Sequence, residues 1–204
     1  CSKLTSLPEN IGDLSQLEQL DMNNSGVEIL PEGFGRLTGL KSLNISYCGA
    51  LKTLSQDFGN LRNMTSFNMV SCAALESLPE SFGDLIQLTT LSLSRCESLV
   101  SLPESIGKLT GLTSLDLSNC KSLQTLPSSI SKLSNIKELS MSCGHVLIEE
   151  MTTEDFQNHS KDIQRKRREP NIDNKLGERF ISYSPQKRRY IFSIARFGVK
   201  VRRA

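Results

Sequence analysis

Apolar positions recur along this chain at fixed offsets, and the whole pattern repeats about every 24 residues. In the stretch LTGLTSLDLSNCKSLQTLP, residues 109–127, the offsets are marked by Leu109, Leu112, Leu115, Leu117, Cys120, Leu123 and Leu126, and Pro127 closes the unit. Stacked on this period the chain yields six units. One column pairs Leu20 with Met22, Leu43 with Ile45, Phe67 with Met69, Leu91 with Leu93, Leu115 with Leu117 and Leu139 with Met141. Each pair flanks one polar residue, the alternation of a short strand with one buried face. A single such strand cannot bury that face, but copies stacked in parallel can. The pattern therefore predicts an α/β solenoid, a horseshoe with a parallel sheet on its concave side and a leucine column as its core. The spacing is 24 residues throughout except between the first two units, where one residue is lost between Ser25 and Leu30.

The other half of each unit has its own columns. Pro8, Pro31, Ser55, Pro79, Pro103 and Pro127 share one position, and Ile11, Phe34, Phe58, Phe82, Ile106 and Ile130 the next apolar one. Gly12, Gly35, Gly59, Gly83, Gly107 and Ser131 follow directly. PESFG and PESIG predict one helical turn, with proline at its first position and Glu at the positive end of the dipole. Glycine with positive φ is expected to stop the turn, and the Phe or Ile before it to point inward.

The pattern LxxLxxLxLxxC followed by xxLxxLPxxIGx resembles the leucine-rich-repeat family over residues 1 to about 144. LPESFGDL and LPESIGKL at 78–85 and 102–109, with the CxxLxxLP junctions from Cys72, Cys96 and Cys120, resemble the cytosolic plant type. Such repeats stand at the C-terminal end of nucleotide-binding disease-resistance receptors. Extracellular plant repeats usually read LxGxIP at that junction, and the scaffold class with LPxxIGxL tends to carry Asn in place of Cys. The resemblance implies non-catalytic protein recognition, the partner being an effector, a host protein or the receptor's own domains. It implies no cofactor and no small-molecule substrate, and the cytoplasm as location with the nucleus second. A general signalling scaffold and the recognition part of a larger enzyme, such as a receptor kinase, are the alternatives; kinase motifs are absent from these residues.

Five of the six cysteines read as part of the repeat, while Cys143 falls one residue early and Gly144 takes the column. Cys48, Cys72, Cys96 and Cys120 fall once per unit where the family usually carries Asn, Cys1 shares their column, and Ser25 stands in for the second unit. A small polar side chain there is expected to turn inward onto the neighbouring coil's backbone. Stacked coils about 4.8 Å apart hold Cβ atoms near that spacing, wider than the roughly 3.8 Å of a disulfide. No CxxC pair exists, and His145 and His159 lie outside the repeats. Reduced thiols also suit a cytosolic compartment.

The outward strand positions are the candidate binding face: Gln19, Asp21 and Asn23; Ser42, Asn44 and Ser46; Ser66, Asn68 and Val70; Thr90, Ser92 and Ser94; Ser114, Asp116 and Ser118; Glu138, Ser140 and Ser142. Tyr47 and Arg95, one step past the strand, are the residue types favoured as binding anchors. A solvated face of short polar residues is the competing reading. Glu9, Glu32, Glu80 and Glu104 form a column on the opposite ridge, read as turn electrostatics rather than as an acidic docking strip. No Gly-rich phosphate loop, GxSxG or HExxH is present. Four glycosylation sequons, at Asn23, Asn44, Asn63 and Asn158, matter only in a secretory context.

Charge divides the chain. Residues 1–144 carry 10 basic and 14 acidic side chains, and residues 145–204 carry 14 and 8, which sum to the net +2. The chain opens at Cys1 in mid-repeat and reads as a fragment. Residues 145–168 are expected to form a capping helix, with Val146, Leu147 and Ile148 as a last coil edge. Residues 169–204 are expected to be a basic, poorly ordered tail. Contact of this tail with nucleic acid, or with an anionic membrane surface, is the weaker alternative; no apolar run is long enough to span a membrane.

Overall fold

In the computed structural model of the chain, residues 3–141 are described, together with the backbone of short strands between 146 and 203. The strands in chain order are β1 (Gln19–Asp21), β2 (Ser42–Asn44), β3 (Ser66–Asn68), β4 (Thr90–Ser92), β5 (Ser114–Asp116), β6 (Thr125–Leu126), β7 (Glu138–Ser140), β8 (Val146–Ile148), β9 (Phe180–Ser184), β10 (Arg189–Ala195), β11 (Gly198–Val199) and β12 (Arg202–Arg203). The first sheet has six parallel strands in the order β1-β2-β3-β4-β5-β7. Its register follows the sequence period: Leu20 lies opposite Leu43, then Phe67, Leu91, Leu115 and Leu139. Equivalent residues of successive units thus become nearest neighbours, which is what a solenoid requires.

Both members of the apolar strand pair turn inward. Leu43, Ile45, Phe67, Met69, Leu91, Leu93, Leu115 and Leu117 are buried in one continuous core. The Phe/Ile column fills the opposite side, with Phe34, Phe58 and Phe82 fully buried. Their rings stack across the coils, Phe34 on Phe58 at 6.2 Å and Phe58 on Phe82 at 6.1 Å, with planes within 4°. Phe67, which replaces leucine in the strand column, tilts against Phe58 at 5.1 Å and Phe82 at 5.9 Å. Four aromatic rings therefore share the middle of the core.

The helical turns are 3₁₀, over Glu9–Asp13, Phe34–Arg36, Gln56–Asn60, Glu80–Asp84, Glu104–Lys108 and Ser128–Lys132. The tighter winding fits five residues into a coil that must return to the sheet within 24. Proline does not take the first helical position. Pro79, Pro103 and Pro127 precede their turns in extended conformation, and their carbonyls accept from the residue three further on. The fixed φ of proline thus sets the entry angle of the turn rather than lying within it.

The glycine column also works differently from the expectation. Among the described residues Gly33 is the only glycine with positive φ, at 79°, and it precedes its turn. Gly12, Gly35, Gly59, Gly83 and Gly107 are instead sites of close approach. A Cβ on Gly83 would lie 2.3 Å from the Ser105 carbonyl oxygen, and one on Gly35 2.0 Å from that of Asp57. These glycines let the next coil's backbone nest against the turn. Ser131 ends the column, and no further turn packs beyond it among the described residues. Gly83→Ala is expected to lower the unfolding free energy by about 1–3 kcal/mol, since backbone must move to admit the methyl. Gly49→Ala, with nothing within 4 Å of the added carbon, is the control, expected to stay within about 0.5 kcal/mol in the same denaturant titration.

The glutamate ridge is tied into this packing. Glu80 accepts from the Ser105 N–H at 3.2 Å, and Glu104 from the N–H groups of Ser128 and Ser129 at 3.2 and 3.3 Å. Each carboxylate caps the opening of the next coil's turn, where N–H groups lack partners. A threonine ladder runs down another edge, Thr65 donating to the Lys41 carbonyl, Thr89 to Thr65 and Thr113 to Thr89. Four exposed ion pairs also bridge successive coils: Arg36–Asp13, Lys41–Glu18, Lys108–Asp84 and Lys121–Glu97. Exposed pairs of this kind contribute about 0–1 kcal/mol each.

Val146–Ile148 continues the solenoid as an edge, β8 pairing in parallel with β6. β10 then pairs antiparallel with both β8 and β9. The other residues of 145–204, with the expected capping helix over 145–168, lie outside the described residues, as does most of the 169–204 tail.

Candidate protein-binding face

The outward residues stand in rows across the six-stranded sheet. The first row is Gln19, Ser42, Ser66, Thr90, Ser114 and Glu138, with hydrogen bonds from Thr90 Oγ1 to Ser66 Oγ at 3.1 Å and from Ser114 Oγ to Glu138 Oε2 at 3.2 Å. The second is Asp21, Asn44, Asn68, Ser92, Asp116 and Ser140. The register thus places eight of the twelve candidate residues in these two rows, Asp21, Ser42, Asn44, Asn68, Ser92, Ser114, Asp116 and Glu138, while Asn23, Tyr47, Arg95 and Ser118 follow just after their strands.

Several of these side chains also hold the turn that ends each strand. Asp21 Oδ1 accepts from the Asn23 N–H at 2.9 Å, Asn44 from Ser46 at 3.1 Å, Asn68 from Val70 at 3.2 Å and Asp116 from Ser118 at 2.9 Å. Asp and Asn side chains commonly close such local turns onto backbone two residues ahead. Asp21 receives Asn44 Nδ2 as well, at 3.2 Å. The Asn23 N–H, foremost, holds its carboxyl below the usual value. Ser46 is buried, while Ser94 Oγ donates to the Ser118 carbonyl at 3.2 Å. The face is thus partly scaffold, and the side chains most available to a partner are fewer than the outward pattern suggests.

The residue after each turn is left-handed. Asn24, Tyr47, Ser71, Arg95 and Asn119 have φ of 53–61°. The N–H groups of Asn24, Tyr47, Ser71 and Arg95 donate to carbonyls of the next coil, those of Ser46, Val70, Ser94 and Ser118, at 2.7–2.8 Å. This column was not recognised from the sequence. Asparagine at its two ends was the available signal, since Asn adopts left-handed backbone more readily than other residues with a side chain.

Beneath the face runs the thiol ladder. Cys48, Cys72, Cys96 and Cys120 are buried and unbridged. Cys72 Sγ donates to the Ile45 carbonyl at 3.1 Å, Cys96 to Met69 at 3.2 Å and Cys120 to Leu93 at 3.1 Å. Cys48 Sγ reaches the Met22 carbonyl at 3.4 Å and lies 3.1 Å from Ser25 Oγ. Each thiol thus meets backbone of the preceding coil, as the asparagine-like position predicts; Cys1 and Cys143 lie outside the described residues. Burial pushes the Cys72 thiol up to about 12 and raises Cys96 in the same way. The folded chain therefore holds these protons where the unfolded chain, with thiols near 8.5, releases them. Their contribution is fully present below about pH 8.5 and is lost as pH rises toward the folded value, by about 1.4 kcal/mol per pH unit per thiol. In urea titrations between pH 8 and pH 10.5, Cys72→Ser/Cys96→Ser should show a flatter loss of stability than the wild type.

Among the described residues no group of three or more His, Cys, Asp or Glu is placed to hold a metal ion, and no helix is long and apolar enough to cross a membrane. A family model described as Leucine Rich Repeat matches residues 87–109 and 111–133. Those residues carry leucine-rich repeats. Over 64 residues, 26% of its length, it is 39% identical to Disease resistance-like protein DSC1 of Arabidopsis thaliana, and the match spans 5% of that relative. The leucine-rich-repeat domain of the type III effector XopL is similar at 25% identity and a TM-score of 0.41, covering 68% of this chain and 65% of that one. The Arabidopsis receptor kinase HAESA, solved with the peptide hormone IDA and the co-receptor SERK1, is similar at 22% identity and a TM-score of 0.42, covering 67% of this chain and 31% of that one. These leucine-rich repeats are of the protein-interaction type, and part of the chain is similar to a plant disease-resistance-like protein.

Proposed function

We propose that this leucine-rich-repeat domain is the sensing or regulatory part of a plant intracellular immune receptor and binds a protein on the outward face of its sheet. The observation that carries the reading is the 39% identity over 64 residues to a plant disease-resistance-like protein. The buried, unbridged thiols support a reducing compartment, with the cytoplasm first and the nucleus second. The face supports binding because parallel stacking repeats one surface over six strands, and extended surfaces of this kind are what solenoids use for partners. The partner is an effector, a host protein or the receptor's own nucleotide-binding domain, and no chemistry is assigned to the chain.

The test is co-precipitation from plant cells of the full chain with candidate effectors and with nucleotide-binding domains of plant receptors. It compares the wild type with Ser92→Arg/Ser114→Arg, which places two long cations mid-face. The variant is expected to lose the partner while keeping its circular dichroism spectrum. Binding unchanged by the variant, or a chain that enters the secretory pathway and is glycosylated at Asn23 or Asn63, overturns the reading.

A further inference from the structure

The left-handed column holds two residues that the fold does not ask for. Its ends are Asn24 and Asn119, for which this backbone is least unfavourable, whereas Tyr47 and Arg95 adopt it at φ of 61° and 60°. A bulky side chain in that region is an outlier, disfavoured by contact of Cβ with the following carbonyl. Strain of this kind persists where the surroundings enforce it and gathers at functional sites. Among the described residues neither side chain enters a ring stack, a side-chain hydrogen bond or an ion pair that would offset the strain. Tyr47 is 58% exposed and makes no ring contact, and Arg95 is exposed and pairs with no carboxylate among the described residues. Asp57, Glu80, Glu104 and Asp116, in contrast, are all engaged in hydrogen bonds that hold turns or coils together.

Charge points to the partner. Across residues 19–24, 42–47, 66–71, 90–95 and 114–119 and β7, Arg95 is the one cation, beside the anions Asp21, Asp116 and Glu138. All three anions already accept hydrogen bonds, Asp21 and Asp116 in their own turns and Glu138 from the Ser114 hydroxyl. Tyr47 and Arg95 are two coils apart, with Ser71 between them as a low floor, so their backbones stand about 10 Å apart at the usual strand spacing. Resting on the reading that this face binds protein, we propose that Tyr47 and Arg95 form a two-point anchor for an acidic segment of the partner protein. Tyr47 takes an apolar or aromatic side chain, and the Arg95 guanidinium takes a carboxylate one step further along the solenoid. Tyrosine and arginine are the types that dominate binding energy at interfaces, and the guanidinium fork matches a carboxylate with two hydrogen bonds.

The test pans a phage-displayed library of random peptides on the immobilised full chain. Selected peptides are expected to be enriched in Asp and Glu together with an aromatic or large apolar residue. Their affinity should fall at least tenfold on Tyr47→Asn and on Arg95→Asn. Arg95→Glu should invert the selection toward Lys and Arg, which a purely structural role would not do. Both asparagine variants should unfold at a higher temperature than the wild type, because asparagine suits the backbone better. A lower unfolding temperature shows a structural role and overturns the anchor. So does selection without acidic enrichment, or none at all. Peptides that lose affinity to Ser92→Arg/Ser114→Arg but not to the Tyr47 and Arg95 variants sink the anchor and leave the proposed face standing. Peptides indifferent to all of these variants sink both.

Discussion

Leu115→Asp is expected to unfold the middle of the solenoid at neutral pH. Leu115 is 1% exposed, and its strand pairs with Leu91 on one side and Leu139 on the other. Truncating a buried leucine costs about 2–5 kcal/mol in lost burial and residual cavity. A carboxylate in the same place must also lose its water or take up a proton. A value raised by about 3–5 pH units for a fully buried acid corresponds to a further ~4 kcal/mol at pH 7, where the buried carboxyl has taken up its proton. The sum rivals the about 5–15 kcal/mol that holds an ordinary domain together. Because the folded value is raised, the added penalty shrinks as pH falls toward the unfolded carboxyl value near 4. Circular dichroism should show a lost urea transition at pH 7 that partly returns near pH 4.5. A midpoint at pH 7 equal to the wild type's would sink the leucine-column model.

The second large effect is Phe58→Ala. Its ring is the centre of the aromatic group, lying 6.2 Å from Phe34, 6.1 Å from Phe82 and 5.1 Å from Phe67. Removal of a fully buried phenylalanine costs about 3–5 kcal/mol, and little of the cavity can close because coils on both sides are held by the sheet. Phe58→Ile should cost much less, since Ile106 and Ile130 occupy the same column in later units. Phe58→Ala and Phe82→Ala are expected to be non-additive in a double-mutant cycle by about 0.5–1.5 kcal/mol, the aromatic pair term. Equilibrium urea unfolding of the four proteins measures it. Strict additivity would mean that the stacked rings contribute burial alone.

The relation of chain to fold is unusually direct here, for a reason visible in Leu115 and Phe58. In a solenoid the contacts of one residue are its own equivalents in the units before and after. A period read along the chain is therefore also a map of neighbours in space. This is why the strand pairs, the inward Phe/Ile column and the thiol ladder were legible, down to the place of Ser25 beside Cys48. What lay beyond reach was how closely the units approach and which way the backbone turns between them. The glycines invite a conformational explanation, yet the 2.3 Å approach to the Ser105 carbonyl, and not a positive φ, excludes a side chain at Gly83. Asp21, Asn44, Asn68 and Asp116 look like free recognition residues, but their oxygens close the turns that follow.

The sequence by itself determined the class of fold, the strand register and the residues of the core, because a regular period leaves one way to bury a one-sided strand. Only the tertiary structure decided which outward residues are free. That depends on hydrogen bonds and backbone angles between coils, such as the left-handed turn that leaves Tyr47 and Arg95 exposed. Such angles are set by the packing of one coil on the next.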